Sequence, residues 1–212
     1  MTKRILTALV LLTGLFGAGG AVWAGDFDKG WKAWESEDYA TALKEWRPLA
    51  EQGNADAQDW LGHMYRYGQG VTEDKAEAAK WIRKSAEQGY AEGQLSLGRL
   101  YAEGEGVTKD HAEAVKWYRK AAERGDALAQ VRLGGVYEDG DESVLQDLVA
   151  AHMWFNIAVA NGTPMHFARD RVERKLSPSE VVEAEKRAKR CMESKYKDCE
   201  AEPKSWWQKL LD

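Results

Sequence analysis

Leu61-Gly62-His63-Met64-Tyr65-Arg66-Tyr67-Gly68-Gln69-Gly70-Val71 returns 36 residues later as Leu97-Gly98-Arg99-Leu100-Tyr101-Ala102-Glu103-Gly104-Glu105-Gly106-Val107. Leu-Gly, Tyr and Gly-x-Gly-Val keep their places while the residues between them change. The agreement runs outward without a gap, so that residues 55–90 overlie residues 91–126. Asp74 falls on Asp110, Ala78 on Ala114, Trp81 on Trp117, Ala86 on Ala122 and Gly89 on Gly125. Self-similarity at one fixed period of this length marks an array of stacked supersecondary units. A third copy starts at Ala127 and keeps Leu133-Gly134, Tyr137 and Gly140. It then takes one inserted residue and resumes through Asp147, Trp154, Ala158 and Gly162. Its loop, Gly140-Asp141-Glu142-Ser143-Val144, lacks the second glycine. Upstream, Asp38, Ala42, Ala50 and Gly53 match the second half of a copy, with the Trp displaced to Trp46. A shorter first helix with Phe27, Trp31 and Trp34 precedes them.

Each copy reads as two helices. Leu61, Gly62 and Tyr65 share one face of the first by helical period, and the small Gly62 lets the second helix approach. Gly68 and Gly70 end the first helix, because a left-handed turn costs glycine almost nothing. Asp74 stands at the N-cap of the second helix, one turn before Ala78 and Trp81, and Gly89 closes it. Trp81, Trp117 and Trp154 share register with Ala78, Ala114 and Ala151, which predicts core positions. Trp31, Trp34 and Trp60 are less constrained by the pattern and are expected to be partly exposed.

The spacing Leu-Gly-x-x-Tyr-x-x-Gly-x-Gly-Val-x-x-Asp-x-x-x-Ala-x-x-Trp-x-x-x-x-Ala-x-x-Gly resembles the Sel-one-like repeat, a relative of the tetratricopeptide repeat. The resemblance is strong over residues 55–162 and partial over 26–54. It implies an all-α fold, a right-handed αα-solenoid of tetratricopeptide-like helix pairs used as an adaptor surface. The expected organisation is a signal peptide (1–24), an N-terminal helix pair (25–54), and repeats at 55–90, 91–126 and 127–163. A C-terminal helical cap and tail (164–212) completes it. In the cap, residues 168–175 read as a helix, and Ser177-Pro178-Ser179-Glu180 is a capping box that starts another. Trp206-Trp207-Gln208-Lys209-Leu210-Leu211 is an apolar end piece suited to docking on the last helices.

The N-terminus reads as an export signal. Lys3 and Arg4 precede an uncharged run from Ile5 to Phe16, and Val22-Trp23-Ala24 suits cleavage before Gly25. The alternative is an uncleaved anchor, since residues 5–24 carry no charge. Gly14, Gly17, Gly19 and Gly20 dilute that stretch and favour cleavage, leaving no stable membrane span. The expected location is therefore periplasmic or secreted. Cys191 and Cys199 are the only cysteines, and an even pair in an exported chain reads as a disulfide. If the helix instead continued through residues 195–198, the two would stand too far apart to pair. With a formal charge of −5, the chain lacks the basic surplus that nucleic-acid binding by general electrostatics requires.

Little in the chain points to catalysis. His63, His111, His152 and His166 are scattered, and no carboxylates or cysteines join them in metal-ligand spacing; no metal and no cofactor is expected. Ser194-Lys195-Tyr196-Lys197 matches the Ser-x-x-Lys motif of penicillin-recognising enzymes, but its partner motifs Ser-Asp-Asn and Lys-Thr-Gly are absent. Gly68-x-Gly70 and Gly104-x-Gly106 follow helices rather than strands, so they are not phosphate loops.

The variable face of the first helices is the more informative feature. Counting from each opening Ala, positions four, seven, eight and eleven face the core, and positions two, five, nine and twelve share the opposite face. These are Asp56, Asp59, His63 and Arg66; Glu92, Leu95, Arg99 and Ala102; and Leu128, Val131, Gly135 and Glu138. They differ from copy to copy, as expected either of a concave surface encoding one protein partner or of drifting surface positions. The reading is a non-enzymatic adaptor or regulator of the cell envelope that binds a peptide or helix of a protein partner. Its rivals are peptidoglycan or polysaccharide binding through exposed Trp and, further off, a penicillin-recognising hydrolase acting through Ser194.

Overall fold

The structure, a computed structural model, describes residues 25–141, 143–197 and 199. The expected signal segment and the Trp206-to-Leu211 end piece lie outside these residues. Ten α-helices occur among the described residues, arranged in pairs: α1 (Phe27–Glu35) with α2 (Tyr39–Glu51), α3 (Ala55–Tyr67) with α4 (Lys75–Glu87), and α5 (Ala91–Glu103) with α6 (His111–Ala122). The helices α7 (Ala127–Asp139) and α8 (Leu148–Ala160) form the next pair, followed by α9 (His166–Glu173) and α10 (Pro178–Glu193). The fold is all-α, a solenoid of helix pairs. Each helix through α9 packs on the one before it, and α10 returns to α8. The first helices α3 and α5 also touch, so the first helices line the inner, concave side.

The sequence specifies the helix ends by hydrogen bonding. Asp38, Asp74, Asp110 and Asp147 cap α2, α4, α6 and α8, each accepting from the backbone N–H three residues on, which satisfies a donor the helix start leaves open. Gly68 and Gly104 terminate α3 and α5 in the left-handed region, at φ 65° and 73°. Ser177 and Glu180 form the expected capping box at α10.

Packing within a pair depends on a missing side chain. A Cβ on Gly62 would come within 2.5 Å of Ile82 Cγ1, one on Gly98 within 2.5 Å of Tyr118 Cδ1, and one on Gly134 within 2.6 Å of Phe155 Cε1. The glycine in Leu-Gly is therefore the seat for a large residue of the second helix, and this packing offsets its poor helix propensity of about 1 kcal/mol.

Successive units are joined by a polar link that repeats with the sequence. Arg47 donates to the Tyr65 hydroxyl at 3.1 Å, Arg83 to that of Tyr101 at 2.7 Å and Arg119 to that of Tyr137 at 2.7 Å, each pair 18 residues apart. Beside it, the Gln at the fourth position donates to a carbonyl at the end of the preceding second helix: Gln58 to Ala50, Gln94 to Ala86 and Gln130 to Ala122.

The core follows the repeat Trp, with a gradient. Trp154 is fully buried and Trp117 is 7% exposed, whereas Trp81 is half-buried with Lys84 Nζ 3.7 Å from its ring centre. At the N-terminal end, Trp31, Trp34 and Trp60 are half-buried against one another and Trp46, with ring centres 4.9–5.5 Å apart. Helix α8 is apolar on nearly every side and is enclosed by α7, α9 and α10, as an all-round hydrophobic helix must be. After α10, Lys195 and Tyr196 take positive φ and turn the chain back. This brings Cys191 and Cys199 together as a disulfide-capable pair, Cα atoms 4.1 Å apart and both buried.

Candidate functional site

Helices α5, α7 and α9 enclose a groove of about 660 Å³ on the concave side. Its apolar lining comes from Ala102, Val131, Gly135, Phe155, Met165 and Ala168. The small residues open it: a Cβ on Gly135 would meet nothing within 4 Å. Phe167, 74% exposed, stands at its edge with the Arg171 guanidinium 5.9 Å from the ring centre. Tyr118 contributes a phenol that burial pushes up to about 12, so the floor stays uncharged at neutral pH. The polar residues are Glu103, Asp139 and Asp141 with Arg132, Arg171 and His111.

The groove's edge is held by two polar clusters. Asp141 accepts from the Ser143 N–H and hydroxyl, from Val144 N–H and from His111 Nδ1. These partners, the Ser143 hydroxyl first and His111 next, hold its carboxyl far below the usual carboxylate range. The altered third loop is thus organised by an Asp where the other loops use a second glycine. On the far side, Glu138 is only 4% exposed and accepts from Arg171 at 2.8 and 2.5 Å and from Lys175 at 3.1 Å. Arg171 foremost, with Lys175, lowers its pKa against the opposing effect of burial. That clamp fixes α9 to α7 and so sets the groove width.

The residues expected on the partner-facing side separate into three groups. Val131 lines the groove, as do Ala102 and Gly135 at the other variable positions. Asp56, His63, Glu92, Arg99 and Leu128 are half-buried or exposed but outside it. Asp59, Arg66, Leu95 and Glu138 are buried, which corrects the expectation that they face a partner. Arg66 donates to Glu103 at 2.5 Å and Glu105 at 2.6 Å across the junction to repeat two, and Asp59 pairs with His63 at 3.5 Å. Leu95 belongs to the core, and Glu138 is the α9 clamp. Each is covered because a first helix packs on both its own partner and the next unit.

Sequence reasoning missed Met165, Phe167, Ala168 and Arg171, the α9 wall. They stand outside the repeat and carry no period. The one available signal was Phe167, the one large aromatic residue in a short helix whose other apolar residues, Ala168 and Val172, are buried. Ser194 donates its hydroxyl to the Cys191 carbonyl in the turn after α10. Among the described residues, no group of three His, Cys, Asp or Glu converges as a metal site, and no helix is long and apolar enough to cross a membrane.

A family model described as Sel1 repeat matches residues 55–90, 91–126 and 127–163. The chain belongs to the Sel1 repeat family. Among solved structures, a Sel1 repeat protein from Oxalobacter formigenes is 34% identical over 65% of this chain, with a TM-score of 0.60. Another, c5321, described as a protective antigen present in uropathogenic Escherichia coli strains displaying an SLR fold, is 30% identical over 74% of this chain, with a TM-score of 0.54. This chain spans 56% of the length of the first and 42% of the second. No curated protein matches it. Sel1 repeats commonly mediate protein–protein interaction, and their solenoid is typically non-catalytic. In this Sel1 repeat chain, the positions that vary between copies make one end of the concave side solid and the other hollow.

Proposed function

We propose that this Sel1 repeat chain is an exported adaptor of the cell envelope that holds a peptide or helix of a protein partner in the concave groove. The observation that carries the reading is the groove itself: an apolar floor of small residues, a nearly free Phe167 at its edge, and charges of both signs around it. Recognition of a protein segment draws its affinity from a few apolar anchors set in such a surface, with a polar rim fixing register. Export is supported by the Lys3-Arg4 start, the apolar run behind it, and a buried cysteine pair suited to an oxidising compartment.

The polysaccharide reading gains no support from Trp31, Trp34 and Trp60, whose faces are taken up by one another. A photo-crosslinking residue at position 135, introduced in the native host, tests the adaptor reading. The expected product is one protein partner, lost on Phe167→Glu. Crosslinking only from the outer face, with none at 135, overturns it. Intact mass of the envelope fraction tests export, with a mature chain starting at Gly25 as the expected result.

A further inference from the structure

Position by position, the groove is the counterpart of a junction that the chain fills with its own side chains. Between repeats one and two, Arg66 is 5% exposed; its Nη2 donates to Glu103 at 2.5 Å and its Nε to Glu105 at 2.6 Å. Two further cations complete that junction. Lys75 Nζ lies 2.8 Å from Glu105, and Arg99 Nε lies 4.0 Å from Glu103. Moving 36 residues along the sequence gives the equivalents between repeats two and three. The acids remain, as Asp139 for Glu103 and Asp141 for Glu105. Of the cations, Lys75 becomes His111, whereas Arg66 becomes Ala102 and Arg99 becomes Gly135.

All five of these equivalents line the groove. His111 keeps the role of Lys75, its Nδ1 bonded to Asp141 Oδ2, while Oδ1 takes the Ser143 and Val144 donors of the loop. Asp139 is exposed and has no hydrogen bond or ion pair among the described residues. It ends α7, whose last turn holds no basic residue, and a helix C-terminus favours a cation. Two other cations line the groove. Arg171 is committed through Nε and Nη2 to Glu138, and Asp139 acts on it only at longer range. Arg132 stands two turns back on α7, about 10 Å along the axis. Glu103, the remaining acid of the lining, is already held by Arg66.

We infer that the groove is the vacated seat of a guanidinium, and that its occupant is a protein segment carrying an arginine held between Asp139 and Asp141. Two neighbouring acids are not by themselves a site. Here the equivalent two, one repeat earlier, hold a guanidinium between them. The planar fork of Arg directs N–H donors at carboxylates on two sides, which the point charge of Lys does not. Ala102 and Gly135 leave the room that Arg66 and Arg99 fill, and Val131, Met165 and Ala168 give apolar contact to the segment that carries the arginine. Arg132 repels a second cation and so keeps the arginine at the Asp139 end. The inference rests on the adaptor reading and adds the residue by which the partner is anchored.

The test uses the mature chain labelled with ¹⁵N and follows the backbone amides of Gly135 and Gly140. The probe is acetyl-Leu-Ala-Arg-Ala-Leu-amide, and its counterpart carries citrulline, the neutral isostere, in place of Arg. The arginine probe should shift both resonances saturably, with a Kd at least about tenfold below that of the citrulline probe. Asp139→Asn alters an exposed, unpaired position, so it keeps the fold, checked by circular dichroism, and should remove the preference. Ala102→Arg restores the missing side chain and should close the groove to both probes. Equal binding of the two probes to the unsubstituted chain overturns the inference and leaves the adaptor reading standing. No shift from either probe overturns it as well, and the crosslink from position 135 then decides the adaptor reading by itself. A preference for arginine undiminished in the Asp139→Asn or the Ala102→Arg protein places the cation elsewhere and overturns the inference alone.

Discussion

The concave side of repeat one is filled by the protein's own side chains, whereas the matching positions of repeats two and three leave a groove. Where repeat one has Trp60, His63 and Arg66, repeat two has Ser96, Arg99 and Ala102, and repeat three has Arg132, Gly135 and Glu138. At the filled end, Trp60 packs edge-on against Trp31 and tilted against Trp34, His63 lies parallel to Tyr67, and Arg66 spans to Glu103 and Glu105. At the open end, Ala102 and Gly135 leave room and α9 adds an outer wall. The backbone is the same helix pair in both places. Side-chain volume at three positions decides whether the surface is core or site, which is why membership of the family fixes the fold and leaves the ligand open.

The sharpest way to break this comparison is to delete an aromatic at each end. Trp60→Ala should lower stability by about 3 kcal/mol, the low end for large aromatic deletions because the ring is half-buried. Phe167→Ala should change stability by less than about 0.5 kcal/mol, as exposed positions do, yet weaken partner capture severalfold. Thermal melts and quantitative crosslinking read the two effects. A stability loss at Phe167 equal to that at Trp60 would mean that the open end is core as well.

The cysteine pair sharpens the comparison from behind the groove, since it fastens the turn after α10, the helix that backs α8. Replacing both cysteines by Ser should lower stability by about 2–3 kcal/mol, the chain-entropy value for so short a loop. Denaturant titration of oxidised protein and variant measures this. Buried as it is, the pair should resist dithiothreitol in the native state and yield once the protein is unfolded.

The period, the caps and the Leu-Gly seats were legible in the sequence because each rests on short-range chemistry: an Asp three residues before a free N–H, a glycine opposite a large side chain. The partner-facing strip was legible only in part. A helical wheel divides a helix into two faces, but a solenoid helix is covered by its own partner and by the next unit. Asp59, Arg66, Leu95 and Glu138 therefore fell on the wrong side of the division. Arg66 and Glu138 are buried only because acids 37 and 39 residues away and an Arg 33 residues away meet them, and no local pattern announces such a contact. The helix of the α9 wall was legible in the sequence, but its closure over the groove was not, for the same reason.

Two adjacent glycines give a finer cut. Gly134→Ala would push a Cβ to within 2.7 Å of two atoms of the Phe155 ring, so it should destabilise by about 1–3 kcal/mol, as overpacking does. Gly135→Ala meets only open groove and should stabilise α7, by up to about 1 kcal/mol. Melting curves of opposite displacement are expected. Displacement in the same direction would place both residues in the core.

The smallest effect expected is on acid stability. Arg171 and Lys175 hold the Glu138 carboxyl below its ordinary pKa in the folded chain. The clamp therefore stabilises fully above the unfolded carboxylate value and is lost as pH falls through the folded one. Melting temperature should decline on acidification below about pH 4.5. Arg171→Gln should flatten that decline and leave the neutral-pH fold in place. An unchanged slope would show that α9 is held by its apolar contacts alone.

The Arg–Tyr links have a bearing on how such a chain grows. Tyr is the eleventh residue of each repeat and Arg the twenty-ninth of the first two, so those two units carry a socket for the predecessor and a plug for the successor, whereas repeat three keeps Tyr137 and has Asn156 where the Arg would stand. A duplicated stretch of 36 residues, copied in register, would arrive with both connectors already matched to whatever stands on either side. Lengthening the array needs no new interface to be invented, and each fresh copy starts with a concave surface free to take a shape of its own.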